Sequence, residues 1–289
     1  MAVWLGLYFT ATYATAALLL GRTLVPAALL GSFAAGMAIY LLDRLKVRDA
    51  LLDRADLAAD AHRHHFLRAH ARFFRQMIWG LVFIGTVSVM LLSLANILLP
   101  VVGVGGVILY TRRAHTDQSS QPDQPKQPDP PGQRRARLKD RLLIKNLLPG
   151  GAIAGFGTML ALQSPTGSSS PFSVAAIAVV VCLTIFVTTD AALCDIDDQT
   201  SDKAHGTRTL PIVLGVRWTW ITAIGLQLLA GLGLLGVLGR AEPARSVILW
   251  WTGVNLGANI VLCSLPVRSL RDLVDLKMPV VITIVWLLV

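Results

Sequence analysis

Runs of about 20 apolar residues recur along the chain, and each suffices to carry a helix, rising 1.5 Å per residue, through hydrocarbon about 30 Å thick. Helices that are apolar all round need lipid or a very large core, so repeated runs confine the chain to a membrane architecture. The spans read as about nine: 3–20, 24–42, 77–95, 97–110, 142–162, 173–193, 218–238, 247–265 and 278–289. The fourth and ninth are short. Residues 76–111 contain no charge, and that length suits two spans turning near Asn96 with Pro100 just beyond. No Lys or Arg precedes Arg22, so the first run reads as a retained helix rather than a secretory signal. The last run reaches Val289, which places the expected chain end in or just beyond the membrane. With 54% hydrophobic and 15% charged residues, composition agrees with an all-α, polytopic membrane protein.

Charge sorts the connections between spans into two alternating sets. Of the 26 Lys and Arg residues, 23 fall in 43–76, 112–145, 194–217 and 266–277; the other set holds Arg22, Arg240 and Arg245. Cytoplasmic connections retain positive charge, so the N-terminus and the loaded loops are expected inside and the C-terminus outside. All 16 Asp residues lie in or next to the loaded loops, and Glu242 lies on the other side. The positive-inside rule does not require that second asymmetry, so carboxylates are used on the inner face. The net charge of +9 comes without an aromatic-interleaved basic domain, which argues against nucleic acid and for topology and anionic lipid. Residues 114–137, whose centre at 117–133 is rich in Gln, Pro, Ser and Asp, read as a disordered hydrophilic cytoplasmic linker inside one transmembrane domain spanning 1–289. Cys182, Cys194 and Cys263 form no C-x-x-C pair and suggest neither disulfides nor a zinc site.

Five Asp residues stand between 190 and 202, in the loop after the sixth run. If that run continues as a helix, Asp195, Asp198 and Asp202 share a face about 60° wide while Asp197 points the opposite way. Crowded carboxylates repel unless a cation or protons intervene, and Mg²⁺ takes oxygen ligands while keeping waters and substrate phosphates. Lys203 and Arg208 stand beside them, and Gly206 permits a turn that could close over an anion. His205 reads as a solvated side chain. An Asp-rich loop also serves as a plain solvated cap, and Asp-x-x-x-Asp arises often by chance.

The whole string, Asp195-x-x-Asp198-x-x-x-Asp202 followed by Gly206-x-x-Thr-Leu-Pro-x-x-x-Gly215, resembles the second signature of the UbiA superfamily of intramembrane prenyltransferases. Nine helices, acidic inner loops after the second and sixth and an inner N-terminus extend the resemblance over essentially the full chain. It implies helices around a central, lipid-accessible cavity roofed by those loops. It also implies Mg²⁺ held by Asp195, Asp198 and Asp202 against an isoprenoid diphosphate, with Lys203 and Arg208 neutralising the leaving group. Lys145 matches a basic position that family members often show at the head of the fifth span; a Lys there also serves simply to snorkel from a helix end.

The first family signature, Asn-x-x-x-Asp-x-x-x-Asp at the end of the second helix, is altered. If Asp43 takes the first Asp position, Ile39 replaces the Asn and Val47 the second Asp; if Asp49 does, Asp53 fits but Leu45 replaces the Asn. Asp43, at the membrane edge, is the candidate for metal or substrate contact, and Asp49 and Asp53 are further metal candidates. Asp49, Asp53, Asp56 and Asp60 form a helical stripe that a solvated surface explains equally well. His62, His64, His65 and His70 suit an interfacial helix rather than a ligand set.

The resemblance therefore implies a Mg²⁺-dependent transferase moving a prenyl group from an isoprenoid diphosphate to an aromatic or other hydrophobic acceptor, with Asp43, Asp198 and Asp202 as catalytic residues. Membrane lipid is the other partner, and oligomeric state is left open. Two alternatives stand beside it: a catalytically degenerate isoprenoid-binding or scaffold protein, suggested by the altered first signature, and a transporter, which would need ionisable residues deep in the spans.

Overall fold

The computed structural model describes residues 2–45, 66, 69–93, 144–164, 173–205, 207–240, 242–265 and 270–289, and among these there are helices and turns but no strand. Eight helices have 18 to 23 residues: α1 (Ala2–Leu19), α2 (Pro26–Leu45), α3 (Ala71–Met90), α4 (Ile144–Leu162), α5 (Val174–Cys194), α8 (Val216–Leu238), α9 (Glu242–Ser264) and α10 (Leu270–Leu288). Two short helices, α6 (Gln199–His205) and α7 (Leu210–Leu214), lie between α5 and α8. Five of the long helices (α1, α3, α5, α8 and α9 from Ala244) are long and apolar enough to cross a membrane. The chain is an integral multi-pass membrane protein.

Local chemistry sets the helix ends. Gly21, at φ 63°, stops α1: its N–H donates to the Leu18 carbonyl at 3.0 Å and the Arg22 N–H to the Ala17 carbonyl at 2.7 Å, the paired bonds of a Schellman turn. Ser173 starts α5, its hydroxyl accepting from the Ala176 N–H at 3.2 Å. Pro26 opens α2, where its missing N–H has no partner to lose.

The helices close a ring in the order α1, α4, α5, α8, α9, α10 and back to α1; α2 packs outside α1, and α3 against α2. Between them Tyr13, Phe186, Trp251, Met278 and Val281 are almost completely buried, with the Phe186 and Trp251 rings 4.1 Å apart. The α4–α5 seam is tight at Gly150, where any Cβ would collide with the Thr188 hydroxyl and approach the Thr188 backbone nitrogen to 3.1 Å. Pro149, beside it, has no N–H for the Lys145 carbonyl one turn back, so the first turn of α4 is loosened where Lys145 sits.

Three sequence expectations change. The ninth apolar run is part of a longer helix: α10 begins at Leu270, so Arg271, Asp272, Asp275 and Lys277 belong to the helix rather than to a loop before it. The third begins at Ala71 and ends at Met90, shifted toward the basic stretch. The sixth does not run on through the acidic string. It ends at Cys194, residues 195–198 form a turn, and α6 starts anew at Gln199. The i→i−3 bonds from Ile196 to Leu193 and from Asp197 to Cys194 tighten that turn and rotate the acids out of a single helical register. The expected fourth span at 97–110 and the linker at 114–137 lie outside the described residues.

Candidate active site

The acidic turn caps the C-terminal end of α5, and two neighbouring helix heads supply its cations. Lys145, in the first turn of α4, places Nζ 2.9 Å from Asp195 Oδ1 and 2.8 Å from Asp202 Oδ2. Next to it, Asn146 donates from Nδ2 to Asp195 Oδ2 at 2.8 Å, so both oxygens of Asp195 are held from α4. The Asp202 backbone N–H donates to the Asp198 carbonyl at 2.8 Å, tying α6 to the turn, and the Thr207 N–H donates to the Asp202 carbonyl at 2.9 Å beyond the end of α6. On the other side, the Arg271 guanidinium donates through Nη2 to Asp198 Oδ2. The Arg271 backbone N–H donates to Asp197 Oδ2 at 2.9 Å, so Asp197 satisfies one of the orphan donors at the head of α10.

Three of the six predicted metal ligands, Asp195 and Asp198 in the turn and Asp202 in α6, are thus held close in the chain but divided between two cations. Asp195 and Asp202 share an ammonium, and Asp198 faces α10. Asp195 and Asp202 are buried. Burial pushes the Asp202 carboxyl above the ordinary carboxylate range, the Lys145 ammonium works against that shift, and the charges of Asp195 and Asp198 add to it. Lys203 and Arg208 are exposed and pair with no acid among the described residues. Asp43 falls in the last turn of α2, and its side chain lies outside the described residues, as do Asp49, Asp53, Asp56, Asp60, His62, His64 and His65 entirely. Gly206 and the His205 side chain also lie outside them.

Sequence reasoning missed Asn146, Arg271 and a second polar cluster deeper in the bundle. There the Asp190 carboxylate of α5 receives the Tyr8 hydroxyl of α1 at 3.0 Å, the Gln227 amide of α8 at 3.0 Å and the Lys277 ammonium of α10. Gln227 also donates to the Thr189 hydroxyl at 2.8 Å. Asn259 of α9 donates to Gln227 Oε1 at 2.7 Å and accepts from Lys277 at 3.0 Å. All six residues are at least 96% buried. Lys277 reads in sequence as the last charge before an apolar run, whereas the fold inserts it among five helices. Gln227 and Asn259, neutral polar residues inside apolar runs, were the available signal.

No family model and no curated protein matches the chain. Solved structures do. The apo structure of a UbiA homolog from Aeropyrum pernix K1 superimposes with a TM-score of 0.62 at 16% identity, over 98% of this chain and 97% of that one. A UbiA homolog from Archaeoglobus fulgidus bound to DMAPP and Mg²⁺ gives a TM-score of 0.57 at 12% identity, over 100% and 97% of the two chains. The structure of a digeranylgeranylglyceryl phosphate synthase gives 0.51 at 16%, over 99% and 95%. The chain has the UbiA fold. Within it the acidic turn belongs to the UbiA-like bundle itself and not to an appended domain, since α4, α5 and α10 all contribute to it.

Proposed function

We propose that the chain is a UbiA-superfamily prenyltransferase that moves a prenyl group from an isoprenoid diphosphate to a small aromatic or other hydrophobic acceptor in the membrane. The observation that carries this reading is the Asp195–Lys145–Asp202 bridge: two buried carboxylates flank one cation at a helix end, in a fold shared with a homolog bound to DMAPP and Mg²⁺. The donor set fits Mg²⁺. Asp195 and Asp202 present hard carboxylate oxygens around the Lys145 ammonium, and Asp198 lies on the same turn as Asp195. Among the described residues no three His, Cys, Asp or Glu side chains gather to cage an ion, and Mg²⁺ needs no such cage because it binds through one or two carboxylates plus waters and phosphate oxygens.

Metal ligands would be drawn from Asp195, Asp198 and Asp202, with Asp43, Asp49 and Asp53 of the first acidic segment as further candidates. Bound there, Mg²⁺ would supply positive charge opposite the diphosphate. Lys145, already at the acids, and the exposed Lys203 and Arg208 donate to the phosphate oxygens. Charge grows on the leaving oxygens as the allylic C–O bond breaks, so fixed donors aimed there stabilise the transition state more than the bound substrate. The apolar tail lies among helices, whose packing keeps water from the allylic cation. Ile39 and Val47, standing where the family signature has Asn and Asp, favour a second reading in which the chain binds isoprenoid diphosphates without turnover.

The test is purified protein with Mg²⁺, a series of prenyl diphosphates and a pool of aromatic acceptors, read by mass spectrometry for product and by release of pyrophosphate. Product from wild type, abolished in Asp198→Ala and Asp202→Ala, is the expected result. Mg²⁺-dependent binding without product would replace transferase with the second reading, and neither binding nor product would overturn both.

A further inference from the structure

We propose that Arg271 is a fourth diphosphate-binding cation of this site, resting on Asp198 until ligand arrives and then exchanging the carboxylate for phosphate oxygens; this rests on the function proposed above. Two observations and one consequence of the proposed metal site support it. The Arg271 and Asp198 side chains are 22% and 35% exposed, so an anion arriving at the turn can reach the guanidinium. By contrast, Asp190 and Lys277 are sealed at 3% and 1%. The backbone of the α10 head is held independently of the guanidinium, by the Arg271 N–H on Asp197 and, about two turns further on, by Lys277 in the buried cluster. The side chain can therefore change partner without displacing its helix. Finally, Asp198 belongs to the carboxylates proposed for Mg²⁺, and a divalent cation sharing that carboxylate would weaken its hold on the guanidinium, whose planar set of donors matches a diphosphate better than an ammonium does. No covalent step is involved; one charge-assisted pair replaces another.

The exchange predicts opposite signs for two bindings. In Arg271→Gln, Mn²⁺ without diphosphate, followed by its electron paramagnetic resonance signal, binds more tightly because Asp198 has lost its competitor. A non-cleavable thio-analogue of a prenyl diphosphate, added with Mg²⁺, binds about 10-fold to 100-fold more weakly, as expected for lost hydrogen bonds between charged groups. Arg271→Lys recovers part of the analogue affinity. Should Arg271→Gln fail to fold, Asp198→Asn carries the test: with its resting partner gone, Arg271 should bind the analogue more tightly than wild type in the absence of metal, and equal or weaker binding overturns the inference. Unchanged analogue binding by Arg271→Gln, or loss of metal and analogue together, also overturns it while leaving the site intact. Wild type that binds no analogue would overturn the site and the inference together.

Discussion

Replacing Lys277 by Met removes one charge from the centre of the bundle at nearly constant volume. Asp190 then keeps the Tyr8 hydroxyl and the Gln227 amide, each at 3.0 Å, but has no cation, and Asn259 Oδ1 loses the donor it held at 3.0 Å. With both side chains at most 3% exposed, solvent does not screen the loss. Removing one partner of such a pair costs about 3–5 kcal/mol, because the remaining charge stays buried. Unfolding entropy of about 2 cal/mol/K per residue over 289 residues converts about 4 kcal/mol into a melting temperature roughly 7 °C lower. Thermal melts of detergent-solubilised protein, followed by tryptophan fluorescence, measure it. Asp190→Asn alone strands the ammonium and also destabilises. The double variant Asp190→Asn/Lys277→Met strands neither and recovers to within about 1–2 kcal/mol of wild type, since well-packed neutral replacements of a buried pair are often neutral. A Lys277→Met shift below about 2 °C, or a double variant whose loss equals the sum of the singles, would refute the assignment of a coupled buried pair.

Asp202 yields a prediction in pH. Its folded-state carboxyl holds its proton more tightly than in the unfolded chain, because burial outweighs Lys145. Its contribution to stability is therefore present below the ordinary carboxylate range and is lost as pH rises through the raised value. Asp202→Asn should melt with wild type at about pH 4 and at or above it at about pH 8, while metal binding falls; a variant losing stability only at high pH would contradict this sign. At the α4–α5 seam, Gly150→Leu forces the helices apart at Thr188 and lowers stability by about 1–3 kcal/mol. Moving Lys145 and Asn146 away from Asp195, it should also weaken binding of the prenyl diphosphate analogue, and a variant with unchanged melting and unchanged analogue affinity would show that the seam tolerates a side chain.

Much of the framework was readable from the one-dimensional pattern, because a backbone crossing lipid must satisfy its hydrogen bonds internally and an apolar run of the right length has little choice but helix. The runs at 3–20, 142–162, 173–193 and 218–238 each fall within two residues of the helix ends. Gly21 and Ser173 mark ends for equally local reasons. The acidic string asked for cations, because so many carboxylates in one short stretch repel one another, and α4 and α10 supply them. Which cations was decided by tertiary structure alone. Lys145 is 57 residues from Asp202, Arg271 is 73 from Asp198 and Lys277 is 87 from Asp190. Helical periodicity placed three acids on one face, but the turn at 195–198 sent Asp198 to α10 and left Asp195 and Asp202 to α4. Local sequence sets where a helix starts and stops, whereas the partner of a buried charge depends on which helices the ring makes neighbours. That order comes from packing at contacts such as Gly150 on Thr188, which no single segment encodes.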